Sequence, residues 1–477
     1  MLLNFIPLLP IIVMLCVAAI RFWGVAIIGV LVWAMFEGAV RKWVLPGFQS
    51  QLLLVKDFIL LFAYLGYFIS ARSSEDLGPK SGTLLFLLLL EAVYCAIQLI
   101  NPNSPSSLLS LFGLKNYLIY LPLAFIIPDI IKDRLQLRKI MIRICYLSIP
   151  IALLGLYQFS QPPTSWINQY VSHEEGVEAV VSLFGEQGEG DFKLGRARTS
   201  STFSYIGGFT TFLLLSVPLA ASLLLGSIPK RRTLLIVTAA LALSIGGAAT
   251  TGARTPMVVF AFAGPLLLLI GGWKGLLPFQ TALRFAVGLA IVGIVTVSLF
   301  GTAFSALEYR ANNSDSAVER VATPITEAAD AFKTSPLIGT GIGSNSNAAM
   351  SIIGGDYLWW LNGNAYEMET ARVMQEMGFV GFTLVFLPKL FVIFLVLGHL
   401  RKSKSPLMIA AHMASLIFVT VHLVLFTVNN PTGGLMYWTI VGVSIAAFRI
   451  EMAERRSRSQ QEFYLERGYP LGDVALA

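Results

Sequence analysis

Residues 233–272 read TLLIVTAALALSIGGAATTGARTPMVVFAFAGPLLLLIGG. Two apolar runs, TLLIVTAALALSI and MVVFAFAGPLLLLIGG, flank a short polar stretch that carries Arg254. In hydrocarbon every backbone N–H and C=O must be satisfied within the segment, so runs of this kind cross a bilayer as helices. A guanidinium does not lose its proton in a protein, so Arg254 needs water, an anion or a partner. The pattern therefore predicts two membrane helices joined by a tight loop that holds the arginine at one surface.

The rest of the chain repeats the first half of this pattern. Of 477 residues, 56% are apolar and 13% charged, where a soluble domain carries about 25% charged residues. Runs of about 18 or more apolar residues, enough to span roughly 30 Å of hydrocarbon, fall near 1–20, 22–36, 51–70, 83–100, 116–131, 138–158, 205–226, 233–250, 255–272, 283–303, 379–399, 405–427 and 432–449. The expected fold is an all-α integral membrane protein of 12 or 13 transmembrane helices, depending on whether 22–36 crosses fully. Its parts are ten spans over 1–303, a large partly helical loop over 304–378, three spans over 379–449 and a polar tail over 450–477. MLLNFIPLLPIIVMLCVAAI has neither a basic n-region nor a small-residue cleavage site, so it reads as a retained first span. Cys16, Cys95 and Cys145 are scattered through apolar runs and read as packing residues.

Lys and Arg in short loops accumulate on the cytoplasmic side. KDRLQLRK (132–139), PKRR (229–232), RKSK (401–404) and the tail with ERRSRSQQ are the dense ones. Placing all four inside turns the loops at 159–204, 251–255 and 304–378 to the opposite face. The net charge of +7 is then mostly topology, and nucleic acid is not an expected partner. The 304–378 loop holds nine acidic against four basic residues, and loops of this length usually carry structure and function. VERVATPITEAADAF (318–332) and EMETARVMQEMGFVG (367–381) read as helices within it.

The outward loops carry the candidate chemistry. Arg254 precedes Thr255 and Pro256, with Thr255 read as an N-cap and Pro256 as the first helical residue. It is either an arginine snorkelling to the interface or an anion site, where charge, forked hydrogen bonds and the helix dipole act together. Arg196 and Arg198 precede TSSTFSY (199–205), again at the start of a span and on the side where cations are rare. Glu369, Arg372 and Glu376 share one helix face, as an acid–base ladder or as functional groups. On the functional reading Glu367 or Glu369 is a general base and Arg372 a further anion contact. PLIGTGIGSNSN (336–347) matches no dinucleotide motif and reads as a turn segment whose N–H groups could face a ligand. His399, His412 and His422 read as core residues, and Lys56, Asp57, Glu91 and Lys389 must face protein or water inside the spans.

Together these pieces resemble the O-antigen ligase and polymerase superfamily of bacterial envelope glycosyltransferases. The resemblance rests on order and spacing: R-x-x-S-T-F-S-Y (198–205), T-G-A-R (251–254), P-L-I-G-T-G-I-G (336–343) and E-M-G-F-V-G (376–381), with GLKNYLIYLPL (113–123) upstream. It covers roughly residues 110–400. The resemblance implies a GT-C-like fold in the bacterial inner membrane with its active site facing the periplasm or exterior. The implied enzyme needs no cofactor, nucleotide sugar or obligatory metal. Its implied partners are an undecaprenyl-pyrophosphate-linked oligosaccharide, an acceptor glycan, membrane lipid and a chain-length regulator. By position Arg198 and Arg254 match the family's donor-pyrophosphate arginines, with Arg196 and Arg372 as further donor contacts. Glu376 and Lys115 are assigned acceptor or structural roles. Ligases commonly carry His-Asn at the start of the helix that closes the large loop; here Glu367 takes the place of that histidine.

The reading is a polymerase that joins repeat units, metal-independent and inverting at the anomeric carbon. Its alternatives are a ligase acting on lipid A core or protein, and a flippase or secondary transporter. A transporter should show internal repeats and polar residues deep in its spans. This chain has no internal repeat, and its polar residues of interest gather in outer loops.

Overall fold

The computed structural model describes residues 9–70, 81–171, 178–180, 197–226, 230–276, 279–299, 301, 304–305, 317–346, 349–354 and 366–466. It is a helical bundle, joined by one small ribbon in which β1 (Gln169–Val171) pairs antiparallel with β2 (Glu178–Val180). Among the described residues, each apolar run of the sequence carries helix over most of its length. Nine helices among the described residues are long and apolar enough to cross a membrane, and a bent pair, α5 (Ser107–Leu118) with α6 (Leu123–Ile130), makes a tenth. Apolar stretches at Ile12–Arg21, Ala286–Val295 and Pro406–Val421 are shorter. The protein is thus an all-α integral membrane protein.

Two helices form the axis of the bundle. In α8 (Ile206–Gly226) and in α16 (Pro431–Glu466) 89% of the apolar window is buried, because each is surrounded by other helices. Around them pack α7 (Arg134–Ser160), α9 (Arg231–Thr250), α10 (Arg254–Trp273), α14 (Glu369–Lys402) and α15 (Pro406–Val421). The expected tail starts inside α16, whose helix continues to Glu466. The three described histidines lie in this core: His399 and His412 both meet the Ser444 hydroxyl, and His422 stacks on Phe418.

The basic segments gather at one end. Arg134 pairs with Glu454 at 2.6 Å. Lys274, just past α10, donates to the carbonyls of Arg401 and Ser403. Arg455 reaches the carbonyl of Lys402, and Gly226 abuts Pro406. Since α9 and α10 are antiparallel neighbours, the loop between them lies at the other end, with the starts of α8, α14 and α16. That end carries the candidate site.

Several charged groups inside the bundle are answered by neighbours. Lys56 donates to Glu37 at 2.6 Å. Asp57 holds Lys115 at 2.6 Å and accepts from the Tyr120 hydroxyl. Lys389 pairs with Glu369 at 2.8 Å. Glu91 differs: it lines a small cavity with Asn116, Tyr117 and Lys389, and its Oε2 has no hydrogen-bond partner among the described residues.

Candidate functional site

The site is built from two clusters. The first forms where the chain enters α8. Residues 199–202 are buried and do not form a helix, so their backbone groups need partners from elsewhere. Arg198 Nε donates to the carbonyl of Thr251 at 2.9 Å, and Thr199 N donates to the carbonyl of Thr250 at 3.0 Å. The two threonine hydroxyls lie 2.7 Å apart. The segment R-T-S-S-T-F-S therefore lies against T-T-G-A-R, and the loops of Arg198 and Arg254 meet.

That loop differs from expectation in one detail. The helix begins at Arg254, with Ala253 at the N-cap position, so neither Thr255 nor Pro256 starts it. The cause lies upstream: Gly252 takes φ +62°, and the Thr251 hydroxyl accepts from Ala253 N at 3.1 Å. The chain turns two residues earlier, and Arg254 occupies the first helical position. Both Arg254 and Arg198 are half-buried. Arg196 lies outside the described residues.

A wide, π-type helical turn at Val40–Val44, just past α2 (Trp23–Ala39), fastens this cluster from the far side. Lys42 Nζ donates to the Ser200 hydroxyl at 3.0 Å and to the Ser201 carbonyl at 2.6 Å. Arg41 reaches the Ser204 hydroxyl at 2.8 Å, and Gly38 lets the Phe203–Ser204 backbone lie directly on α2. Sequence reading missed these two cations; the available signal was a Lys–Arg pair closing an apolar run in a chain with few charges.

The second cluster forms at the head of α14. Glu369 is 1% exposed. Its carboxylate accepts from Lys389 Nζ, from the Thr427 hydroxyl, and from the backbone N–H groups of Thr427, Val428 and Asn429 at 2.6, 2.8 and 3.2 Å. Glu376 is equally buried; it accepts from the Tyr117 hydroxyl at 2.7 Å and from Asn345 N at 2.8 Å. The shared helix face is thus present, but each carboxylate answers a different wall and no ion-pair ladder with Arg372 forms. Arg372 donates to the carbonyls of Tyr366 and Asn345 at 2.8 and 3.5 Å and lies over the Phe426 ring. Glu367 is exposed at the mouth of the helix. Lys115, in the last turn of α5, pairs with Asp57 at 2.6 Å.

The glycine-rich segment packs on this helix rather than offering its N–H groups outward. Thr340 N and Gly341 N donate to the carbonyls of Gln375 and Glu376. Gly378 has φ +66° and breaks α14 into two rods. A side chain there would overlap the Leu337 carbonyl. Gly343 sits against Gly113 of α5 in the same way, which is why GLKNY and GTGIG occur together. Tyr366, outside the spans, donates to Asp330 and meets the Thr334 hydroxyl; burial, with Asp330 beside it, pushes the phenol up from its ordinary range.

Residues 427–430 bridge the clusters. Glu369 holds 427–429 by their N–H groups, and the Asn430 side chain lies beside Gly207, in the first turn of α8 beyond the TSSTFSY segment. One connected wall at this end therefore carries Arg198, Arg254 and Arg372, with Glu367 at its edge.

Residues 239–386 match the family model described as O-antigen ligase. The stretch contains Arg254, the glycine-rich segment and the head of α14, and it stops short of Arg198. No curated protein matches the chain.

Proposed function

For a multi-pass membrane chain that carries an O-antigen ligase domain, of the O-antigen ligase and polymerase superfamily, we propose an extracytoplasmic glycosyltransferase that polymerises glycan repeat units from an undecaprenyl-pyrophosphate donor. The observation that carries the reading is the contact of Arg198 with Thr251, which brings two outward arginines onto one wall. Arg254 opens α10 and Arg198 leads the non-helical segment into α8, both at the end of the bundle opposite the basic loops. A lipid-linked pyrophosphate presents its anion at that level, with its isoprenoid tail in the bilayer.

The chemistry follows from charge. As the bond from the anomeric carbon to phosphate oxygen breaks, the electron pair leaves with the pyrophosphate and its negative charge grows. Fixed guanidinium groups stabilise that charge more in the transition state than in the ground state. The acceptor hydroxyl attacks the opposite face of the sugar and loses its proton to a carboxylate, which inverts the anomeric centre. Of the two candidate bases, Glu367 is the solvent-exposed one. Glu369 has both oxygens committed to Lys389 and the 427–429 backbone, so its role is to hold that wall.

A second reading, transfer of finished glycan to lipid A core or to protein, is favoured by the description of the matching family. One experiment separates the two. In cells carrying Arg254→Ala, a polymerase defect leaves single capped units on the surface, whereas a ligase defect leaves long lipid-linked chains that never reach the acceptor. An unchanged size ladder at normal protein level overturns the role given to Arg254.

A further inference from the structure

The helix α12 (Ala317–Thr334) lies outside the spans and is amphipathic in an unusual three-sided way. Its first side faces protein. Ala328 and Ala331 are buried, Glu327 accepts from Met368 N at 2.8 Å, and the Pro324 carbonyl accepts from the Thr370 hydroxyl at 2.6 Å. Its second side is polar and exposed, with Thr326, Asp330 and Lys333. Its third is apolar and exposed: Ile325, Ala329 and Phe332, at i, i+4 and i+7, with Ile325 73% and Phe332 53% exposed.

The apolar stripe does not end at the helix. The Phe332 ring meets Phe379 edge-on, with centroids 5.6 Å apart. Phe379 opens the second rod of α14, along which the exposed side chains Val380, Thr383, Leu387, Leu390, Phe394 and Leu397 recur at three- and four-residue spacing. In a membrane-spanning helix such a stripe faces lipid. Leu337 and Ile338, just after α12, are exposed as well. A helix with one face on protein, one apolar and one charged is the form that settles at a headgroup boundary.

We propose that α12 is an interfacial helix whose Ile325–Ala329–Phe332 edge lies in the lipid of the leaflet at the site end of the bundle. The occupant of the stripe is bilayer, because the stripe is continuous with the lipid-facing surface of α14 through the Phe332–Phe379 contact. The placement stands on this geometry alone, whatever the reaction. Its consequence is positional: Glu327, Pro324 and Asp330 tie α12 to Met368, Thr370 and Tyr366, so the segment leading into Arg372 hangs from an element anchored in lipid.

The test is site-directed spin labelling of the full chain in nanodiscs. The three native cysteines are buried, so single cysteines at 325, 329, 332, 326 and 333 label selectively, with Phe394→Cys as the lipid-facing standard. Collision with dissolved oxygen should exceed collision with a water-soluble nickel chelate several-fold at 325, 329 and 332, as at 394, and the order should reverse at 326 and 333. Nickel access at 325, 329 and 332 equal to that at 333 places the stripe in water and overturns the proposal. Shielding of those positions from both agents means that protein covers it, and overturns the proposal equally.

Discussion

Arg198 Nε donates to the backbone oxygen of Thr251 at 2.9 Å, three residues before Arg254. A contact across 53 residues of sequence turns two ordinary-looking interfacial arginines into parts of one wall. Arg198→Lys keeps the charge but loses the directed Nε hydrogen bond, so it should lower polymer yield while leaving thermal stability within about 1 kcal/mol of the parent. Surface glycan by gel ladder, beside unfolding of the purified protein, measures both.

Glu369 and Lys389 form a buried pair, and removing one partner leaves the other uncompensated. Glu369→Gln or Lys389→Met alone should each destabilise by about 3–5 kcal/mol. The double variant Glu369→Gln with Lys389→Met should recover part of that loss, since the stranded charge is gone. Unfolding midpoints in detergent of the two singles and the double test this; equal loss in all three would contradict the pairing argument.

Glu367 is expected to behave in the opposite manner. Glu367→Gln should leave the unfolding midpoint unchanged and lower turnover by on the order of 10²-fold or more, the scale of a lost general base. A kinetically silent Glu367→Gln would move the proton acceptor elsewhere.

Gly378→Ala should be among the most damaging single-atom changes at the site end of the bundle. A left-handed φ of +66° costs a side-chain residue about 1–3 kcal/mol, and the new methyl also overlaps the Leu337 carbonyl. Reduced yield of folded protein, read by size-exclusion profile, is the expected result, with Gly354→Ala, where no atom lies within 4 Å, as the control for positive φ alone.

Turnover in excess EDTA should match that without chelator, because the arginines, rather than a cation, carry the charge of the leaving group. A strict requirement for added Mg²⁺ would count against that assignment.

The spans were legible because hydrocarbon forces helices on any long apolar run, and the gathering of basic loops at one end followed from their charge alone. The order of motifs also led to the superfamily. Partners were not legible. Glu369, Arg372 and Glu376 share a face as the spacing required, yet Glu369 is answered by Lys389, 20 residues on in the same broken helix, and by the 427–429 backbone, while Glu376 is answered by Tyr117. Helical periodicity gives the direction of a side chain and says nothing of which helix stands opposite. The Arg254 turn was misread by two residues because Thr255–Pro256 is a plausible cap locally, and the early turn depends on Gly252 and on the Thr251 hydroxyl. Lys42 escaped notice because its partners, Ser200 and Ser201, are 158 and 159 residues away.

The central claim is that the wall carrying Arg198 and Arg254 holds a lipid-linked pyrophosphate. Its most direct measurement is equilibrium binding of undecaprenyl pyrophosphate to the purified protein in nanodiscs, parent against Arg254→Ala. The account predicts saturable binding by the parent and at least about tenfold weaker binding by the variant, the 1.4 kcal/mol expected at minimum for a lost charged contact. Equal affinity in both proteins, with Arg254→Ala folded, would contradict it.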